Sequence, residues 1–182
     1  MATLITDLEA DHARFRRYLA WLNQEIGKLA AGTSPDYLLL NELATYFADY
    51  PDELHHKKED IVYAHLAEKA RRRDLALENL QEQHSELSGR AKRFAEIVLM
   101  IINNEQLPIA VIVEEASAYR TILTAHMSCE ETSLFEPART LLKKDDWWEI
   151  EQAIGDLYAD EINFEKARSV LAVEKLLDSY GR

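Results

Sequence analysis

Residues 5–29 read ITDLEADHARFRRYLAWLNQEIGKL, and the spacing of their apolar side chains decides the fold class. The apolar positions recur at alternating intervals of three and four residues, as on the buried face of an amphipathic α-helix. One position in this stripe holds a histidine. The members of the stripe are Ile5, Leu8, His12, Phe15, Leu19, Leu22, Ile26 and Leu29. The pattern predicts a helix over about residues 3–31 that carries an imidazole into the core.

The second predicted helix covers about residues 34–70. Ser34 is its expected N-cap and Pro35 its first helical residue, a favoured pair at helix starts. Pro51 lies inside the segment and should kink the helix or remove one backbone hydrogen bond. A charged connection follows, and it ends at Asp74, the expected N-cap of the third helix.

The third helix is predicted over about residues 75–103, where the apolar stripe of the first helix recurs and His84 occupies one of its positions. The fourth is predicted over about residues 108–143, and Pro137 should kink or break it near its far end. Because four long helices are joined by short connections, the sequence predicts an all-α, antiparallel up-down-up-down four-helix bundle.

The tail from Asp146 to Tyr180 predicts one or two additional C-terminal helices. Asp146 and Glu149 resemble a capping box that uses Asp in place of Ser or Thr. Several apolar side chains could pack this tail on the bundle, namely Trp147, Trp148, Ile150, Ile154, Leu157 and Tyr158. We expect one domain over residues 1–182, with the bundle at about 3–143 and a helical extension at about 146–180.

Composition narrows the classes of partner. The 182 residues carry a net charge of −12, which argues against nucleic acid or an anionic membrane as a partner. The lone cysteine, Cys129, excludes an internal disulfide and fits a reducing compartment. The N-terminus has no secretory signal pattern, and no apolar run approaches the roughly 20 residues of a membrane helix. We therefore expect a cytoplasmic protein.

Two five-residue segments, HHKKE at 55–59 and HMSCE at 126–130, each place a His and a Glu four residues apart. On a helix, such residues point the same way. Each segment therefore offers one imidazole and one carboxylate to a shared point, and the first and third helices each add one imidazole. The candidate metal ligands are His12, His55, Glu59, His84, His126 and Glu130.

These donors are expected at one level of the bundle. Measured from the end that carries the first and third turns, each lies about 20 residues up its helix, or roughly 30 Å at about 1.5 Å per residue. Buried unpaired carboxylates are costly, and bound cations would remove that cost. Imidazole with carboxylate suits iron, zinc or manganese, and six donors suit two metals bridged by the glutamates.

Other residues near this level are weighed as alternatives. Asp60 and Glu131 rival their neighbouring glutamates as ligands, although the spacing of four favours Glu59 and Glu130. His56 should point about 100° away from His55, to the surface or just behind the ligands. A last group is assigned to solvent or to packing, with Tyr63 and Tyr119 able to contact a bound ligand: His65, Tyr63, Tyr119 and Cys129.

Together, these motifs resemble the bacterial hemerythrin-like, or HHE cation-binding, domain over about residues 3–143. The motifs are His12 in DHARF, the HHxxED box at 55–60, His84 in QxxHxxL and the HxxxEExxLF segment starting at 126. The resemblance implies two non-haem iron ions, bridged by carboxylates, in preference to zinc or manganese. Oxygen-carrying members place two histidines four apart on the third helix, whereas Leu80 and Ser88 flank His84 here. One imidazole is therefore expected to be missing.

The resemblance implies a protein that binds, senses or reduces a small oxidant such as O2, NO or peroxide, and the missing imidazole favours reaction or sensing over oxygen transport. The alternative is a regulatory or interaction module whose metal controls partner binding without turnover. A metal-free helical bundle is the third reading. Catalytic residues and any protein or redox partner stay unassigned by the sequence.

Overall fold

The computed structural model describes residues 3–69, 80–159 and 161–180, and every regular element within these ranges is helical. Two short segments are π-helical, with one extra residue in the turn, and the others are α-helical. In chain order they are α1 (Thr3–Ala30), α2 (Tyr37–Tyr50), a first π-segment (Pro51–His55), α3 (His56–Lys69), α4 (Leu80–Ile102), α5 (Ile109–Glu130), a second π-segment (Glu131–Phe135), α6 (Glu136–Leu141), α7 (Lys144–Ala159) and α8 (Glu161–Tyr180).

Four rods form the bundle: α1, α2 continued by α3, α4, and α5 continued by α6. The first rod packs on α5 and α2, and α4 packs on both α2 and α5. This arrangement confirms the predicted all-α, up-down-up-down bundle. The tail forms two helices, of which α7 packs on α3 and α8 on α2 and the first π-segment. None of the described helices is long and apolar enough to cross a membrane.

Apolar side chains form two clusters along the bundle, and a polar layer separates them. The larger cluster includes Phe15, Leu22, Leu43, Phe94 and Leu123. The smaller one includes Leu8, Val62, Leu80, Leu134 and Trp147. His12 lies between Leu8 and Phe15 on the inner face of α1, so the helical period that buries both neighbours buries the imidazole as well.

The predicted start of the second helix was wrong in detail. The second rod begins at Tyr37, and its N-cap is Asp36, whose Oδ1 accepts a 3.0 Å hydrogen bond from the Leu39 amide. Ser34 and Pro35 therefore precede the helix. A carboxylate next to the first turn satisfies a free amide and interacts well with the helix dipole, which explains the shift. The predicted N-cap Asp74 lies outside the described residues.

The tail also departs from its prediction at two residues. Helix α7 begins at Lys144, so Asp146 lies in its first turn instead of capping it. The Asp146 side chain accepts a 2.8 Å hydrogen bond from the Lys143 amide, which is the backward half of a capping box. Trp147 is buried as expected, whereas Trp148 is 62% exposed.

Both prolines inside the long rods coincide with π-segments. Pro51 has no amide hydrogen, and it begins the first π-segment, in which the His56 amide bonds the Pro51 carbonyl five residues earlier. Pro137 lies two residues beyond the second π-segment, in the first turn of α6. At or next to each proline the rod contains one wide π-turn, which confirms that the prolines interrupt the regular α-helix.

Candidate metal centre

The polar layer brings together all six side chains predicted as ligands. His12 comes from α1, His55 ends the first π-segment and Glu59 follows in α3. His84 comes from α4, and α5 supplies both His126 and Glu130. All six residues are buried, and both glutamates are fully inaccessible to solvent. Two groups of donor atoms each lie within 4.8 Å of one another: His12, His55, Glu59 and Glu130, and His56, Glu59, His84 and His126.

The two carboxylates lie between the groups. Oε1 of Glu59 lies 3.2 Å from Nε2 of His55, while its Oε2 lies 3.6 Å from Nε2 of His84. Oε2 of Glu130 lies 3.4 Å from Nε2 of His12, and its Oε1 lies 3.0 Å from Nε2 of His126. Each glutamate therefore presents one oxygen to each group, as a carboxylate shared by two cations would.

His56 was misplaced by the sequence. It was expected to point to the surface or just behind the ligands, but it is only 5% exposed and belongs to the second donor group. Its ring stacks on His84 with centroids 4.0 Å apart. Because a π-turn is wider than an α-turn, consecutive side chains diverge by a smaller angle, and His55 and His56 both face inward. The layer thus holds five imidazoles, one more than the four named from the sequence.

Each imidazole has an oxygen atom of another side chain beside Nδ1, on the side of the ring that faces away from Glu59 and Glu130. Three partners lie within clear hydrogen-bonding distance: Glu131 at 2.9 Å from His12, Gln83 at 3.0 Å from His126, and Asp11 at 3.1 Å from His55. Two lie 3.3 Å away: Asp52 from His56, and Asp60 from His84. Such partners fix the ring orientation and leave Nε2 free for a cation.

This arrangement gives Asp60 and Glu131 a position different from the one considered for them. They face the outer nitrogens of His84 and His12, whereas Glu59 and Glu130 occupy the centre. Sequence reasoning missed three other partners: Asp11, Asp52 and Gln83. Of these, only Asp52 could have been found from the sequence, because it precedes His56 by four residues, about one helical turn.

Several buried polar atoms in the layer have no hydrogen-bond partner among the described residues. Nδ1 of His84 and Oδ1 of Asp60 lie 3.3 Å apart without hydrogen-bond geometry. The others lie at the centre of the layer: both oxygens of Glu59, Oε2 of Glu130 and Nε2 of His126. Leaving such groups unpaired in an apolar interior is costly, since each has lost its water. Cations at the two donor groups would supply the missing partners. The chemistry of the donor set therefore fits a pair of bound metal ions.

The charges in this layer compensate one another in the absence of metal. Burial alone would lower the pKa of His55, but Glu59 and Asp11 raise it to about 10. Burial likewise opposes the charge on His84, whose pKa the nearby Asp60 and Glu130 carboxylates raise to about 9. Burial lowers the pKa of His56 to about 3. Two histidines thus carry protons that a metal would have to displace.

The pKa values of the two glutamates are shifted in opposite directions. Burial, and then the charge of Glu130, raises the pKa of Glu59. Burial also acts to raise the pKa of Glu130, but the neighbouring imidazoles of His12, His126 and His84 hold it well below its usual range. A carboxylate pair with opposite shifts is a common mark of a functional site.

The remaining candidates lie away from the donor groups. His65 is half-buried, and its Nδ1 lies 2.9 Å from the Ile61 carbonyl. The Tyr119 ring packs beside Phe47 in the larger apolar cluster, and Tyr63 packs against the smaller one. Cys129 is partly exposed and lines a cavity beside His126. None of these four side chains belongs to either donor group.

Comparison with known families agrees with this geometry. The family model for the hemerythrin HHE cation-binding domain matches residues 3–138, a range that includes every member of the two donor groups. Comparisons with curated proteins and with solved structures give no significant match. The matched range covers most of the chain and ends before α7. The chain therefore belongs to the hemerythrin HHE cation-binding domain family.

Proposed function

We propose that this protein binds two non-haem iron ions and uses them to bind, sense or reduce a small oxidant such as O2, NO or peroxide. The observation that carries the proposal is the position of Glu59 and Glu130, each with one oxygen toward each donor group. One metal in one group would leave the other group's buried donors unsatisfied.

The donor set favours iron over zinc or manganese. Structural zinc takes four ligands in a closed tetrahedron, whereas these groups offer seven side chains to two metals. Mixed imidazole and carboxylate ligation suits iron with positions left open. His12 and His55 would hold one iron, and His56, His84 and His126 the other, with both glutamates shared.

The chain's own residues prepare this chemistry. Bound iron would supply redox change and open coordination positions. The oxygen partners at Nδ1 hold the imidazoles in place before any ligand arrives. Phe135 stacks on His12 at 5.2 Å and Phe15 lies 5.0 Å from His55, so apolar rings limit the water around the first group.

A cavity between α4 and α5 supports access by a small apolar molecule. It has a volume of about 410 Å³ and reaches His126. Its walls are mostly apolar, with Leu87, Ile122 and Cys129 among them. A diatomic gas partitions into such surroundings more readily than an ion does.

The test is metal analysis after anaerobic iron loading. We expect about two irons per chain, with Mössbauer parameters of coupled non-haem iron and a shift in the visible spectrum on adding peroxide or NO. One zinc per chain, or no bound metal, would overturn the proposal. Bound iron with an unchanged spectrum after every oxidant would restrict it to metal binding.

A second candidate is a regulatory module whose metal state controls a protein partner without turnover. It is favoured by α7 and α8, which lie beyond the matched family range yet contact the first π-segment. A partner that binds reduced and oxidised protein differently in a pull-down, without any oxidant consumption, would support this candidate over a reductase.

A further inference from the structure

Three buried tyrosines form a row that starts beside the metal centre and ends near the surface. The rings of Tyr50 and Tyr46 stack with centroids 4.7 Å apart, and Tyr46 meets Tyr18 at 4.9 Å. Tyr18 then lies 5.3 Å from the partly buried ring of Trp21. Tyr18 and Tyr46 have no solvent exposure and Tyr50 has 4%. These three tyrosines and Trp21, called the tyrosine row below, have readily oxidised side chains and belong to or pack against the larger apolar cluster.

The inner end of the row connects to a candidate metal ligand. The Tyr50 hydroxyl donates a 3.1 Å hydrogen bond to Oδ1 of Asp11. The other oxygen of the same carboxylate lies 3.1 Å from Nδ1 of His55. The Phe15 ring bridges the remaining space, 5.0 Å from His55 and 5.9 Å from Tyr50. Tyr50 therefore has both a short path for an electron and a carboxylate that can take its proton.

The outer end repeats this arrangement. The Tyr18 hydroxyl donates a 2.8 Å hydrogen bond to Oδ1 of Asp178 in α8, and Arg17 also pairs with that carboxylate. Asp178 is partly exposed, so a proton placed there can exchange with water. Both ends of the row thus pair a phenol with a carboxylate. Helix α8, which lies beyond the matched family range, supplies the outer one.

Tyr46, in the middle, lacks such a partner. Its hydroxyl is buried and makes no hydrogen bond to any described residue. Phenylalanine would fill the same space without burying an unpaired hydroxyl, so packing alone does not account for tyrosine here. A phenol ring, however, gives up an electron far more readily than a benzene ring. That property explains a tyrosine between two others.

We propose that Tyr50, Tyr46 and Tyr18 form an electron relay that delivers reducing equivalents from the surface at Trp21 to the metal centre. The proposal rests on the proposed function, because its oxidant is a peroxide consumed at the centre. Reducing one peroxide to two waters takes two electrons and two protons. A centre that has already given up its own electrons must draw them from the protein, one at a time.

Each transfer balances within the row. Tyr50 gives one electron to the centre and its phenolic proton to Asp11, which leaves a neutral tyrosyl radical. An electron from Tyr18 passes through the Tyr46 ring to Tyr50, which recovers its proton from Asp11, while the Tyr18 proton moves to Asp178. The radical now at Tyr18 takes an electron through Trp21 from a small surface reductant such as ascorbate or a thiol, and recovers its proton from Asp178. Two such events reduce one peroxide, and solvent supplies the protons for water.

The test treats the iron-loaded full-length protein with peroxide in the absence of a reductant. Freeze-quenched samples are examined for a tyrosyl radical by electron paramagnetic resonance, and peptide mass spectrometry measures oxidation at Tyr18 and Trp21. In Tyr46→Phe we expect oxidation at Tyr18 and Trp21 to fall several-fold with the fold intact, because the radical then stops at Tyr50. Tyr119→Phe is the matched control, because Tyr119 is buried in the same cluster and its ring lies against Phe47, outside the tyrosine row. It should behave as the parent protein does.

Equal oxidation of Tyr18 and Trp21 in the parent and Tyr46→Phe would overturn the relay. So would the same oxidation in iron-free protein, since the centre would then not be the oxidant. Iron content is measured on each sample beforehand. Failure to bind iron would overturn the proposed function and remove the relay's oxidant, whereas an iron-loaded protein without the Tyr46 effect would overturn the relay alone.

Discussion

Asp11 holds His55 from behind: Oδ2 of Asp11 lies 3.1 Å from Nδ1 of the imidazole, whose Nε2 lies 3.2 Å from Glu59. Arg14 in turn pairs with Asp11 at 2.6 Å and with Glu174 of α8 at 3.2 Å. A line of alternating charges thus runs from the candidate centre to the C-terminal helix. The orientation of one ligand depends on groups that cannot themselves reach the metal.

Asp11→Asn should therefore weaken iron binding by about 10- to 100-fold, because the imidazole loses a charged partner that fixes its orientation and its basicity. Competition with a chelator of known affinity measures the change. Asp7→Asn is the matched control, since Asp7 is an exposed carboxylate one turn earlier on α1. Equal affinity in the Asp11 and Asp7 variants would show that the contact has no influence on the metal.

The glutamate shared by both groups should matter more than any single outer partner. Glu59→Ala removes one oxygen from each group, so we expect iron content well below the parent level and loss of the rise in melting temperature that iron causes. His126→Ala should act in the same direction, and His65→Ala, which lies outside the layer, should not. Parent-like iron content in both Glu59→Ala and His126→Ala would contradict the ligand assignment.

A substitution at His56 tests the two donor groups separately. His56→Ala removes an imidazole from the group of His84 and His126 and none from that of His12 and His55. We expect iron content to fall from about two toward about one per chain, with the coupled-iron signal lost from the Mössbauer spectrum. Two strongly held irons in this variant would return His56 to a packing role.

The six first-proposed ligands could be predicted because each lies on an apolar stripe whose helical period is visible in the sequence. His12 occupies a position between Leu8 and Phe15 where only a buried side chain fits. Their common level followed from helix lengths, because straight helices translate residue counts into height.

His56 could not be predicted by that reasoning, because the α-helical angle between neighbours does not hold in the π-turn at Pro51. Asp11 and Gln83 were missed for another reason. They lie on the flanks of their helices, and which residue they meet depends on how the rods are rotated and crossed, which the apolar period leaves undetermined.

Tyr158 ties the C-terminal helices to the centre. Its hydroxyl donates to the carbonyls of Glu53 and Leu54, at 3.1 and 3.3 Å, within the π-segment that ends at His55. Tyr158→Phe should lower stability by about 1 kcal/mol and speed iron loss, because those carbonyls lose a partner and the segment that carries His55 is held less firmly. Denaturant unfolding and iron release to a chelator measure the two effects. A stability loss without faster release would show that the π-segment needs no support from α7.

As pH rises, the stability of the metal-free protein should fall, whereas its affinity for iron should rise. Folding raises the pKa of His55 to about 10 and that of His84 to about 9, from 6.5, because nearby carboxylates outweigh burial. Their stabilisation is fully present below pH 6.5 and is lost as pH rises through about 9 and 10. The melting temperature of the metal-free protein, measured with a chelator present, should therefore fall as pH rises over this range. His56, with its pKa lowered to about 3, stays neutral throughout.

Iron binding depends on pH in the opposite direction, because iron needs neutral imidazoles and displaces the protons of His55 and His84 when it binds. Its affinity should rise with pH over the same interval, and proton release on anaerobic loading should be measurable by calorimetry in buffers of different ionisation enthalpy. His55→Gln should flatten the decline seen in chelator, since it removes the group with the larger shift. A melting temperature in chelator that is constant or rises between pH 6.5 and about 10 would mean that the carboxylates hold no protonated histidine in the metal-free centre.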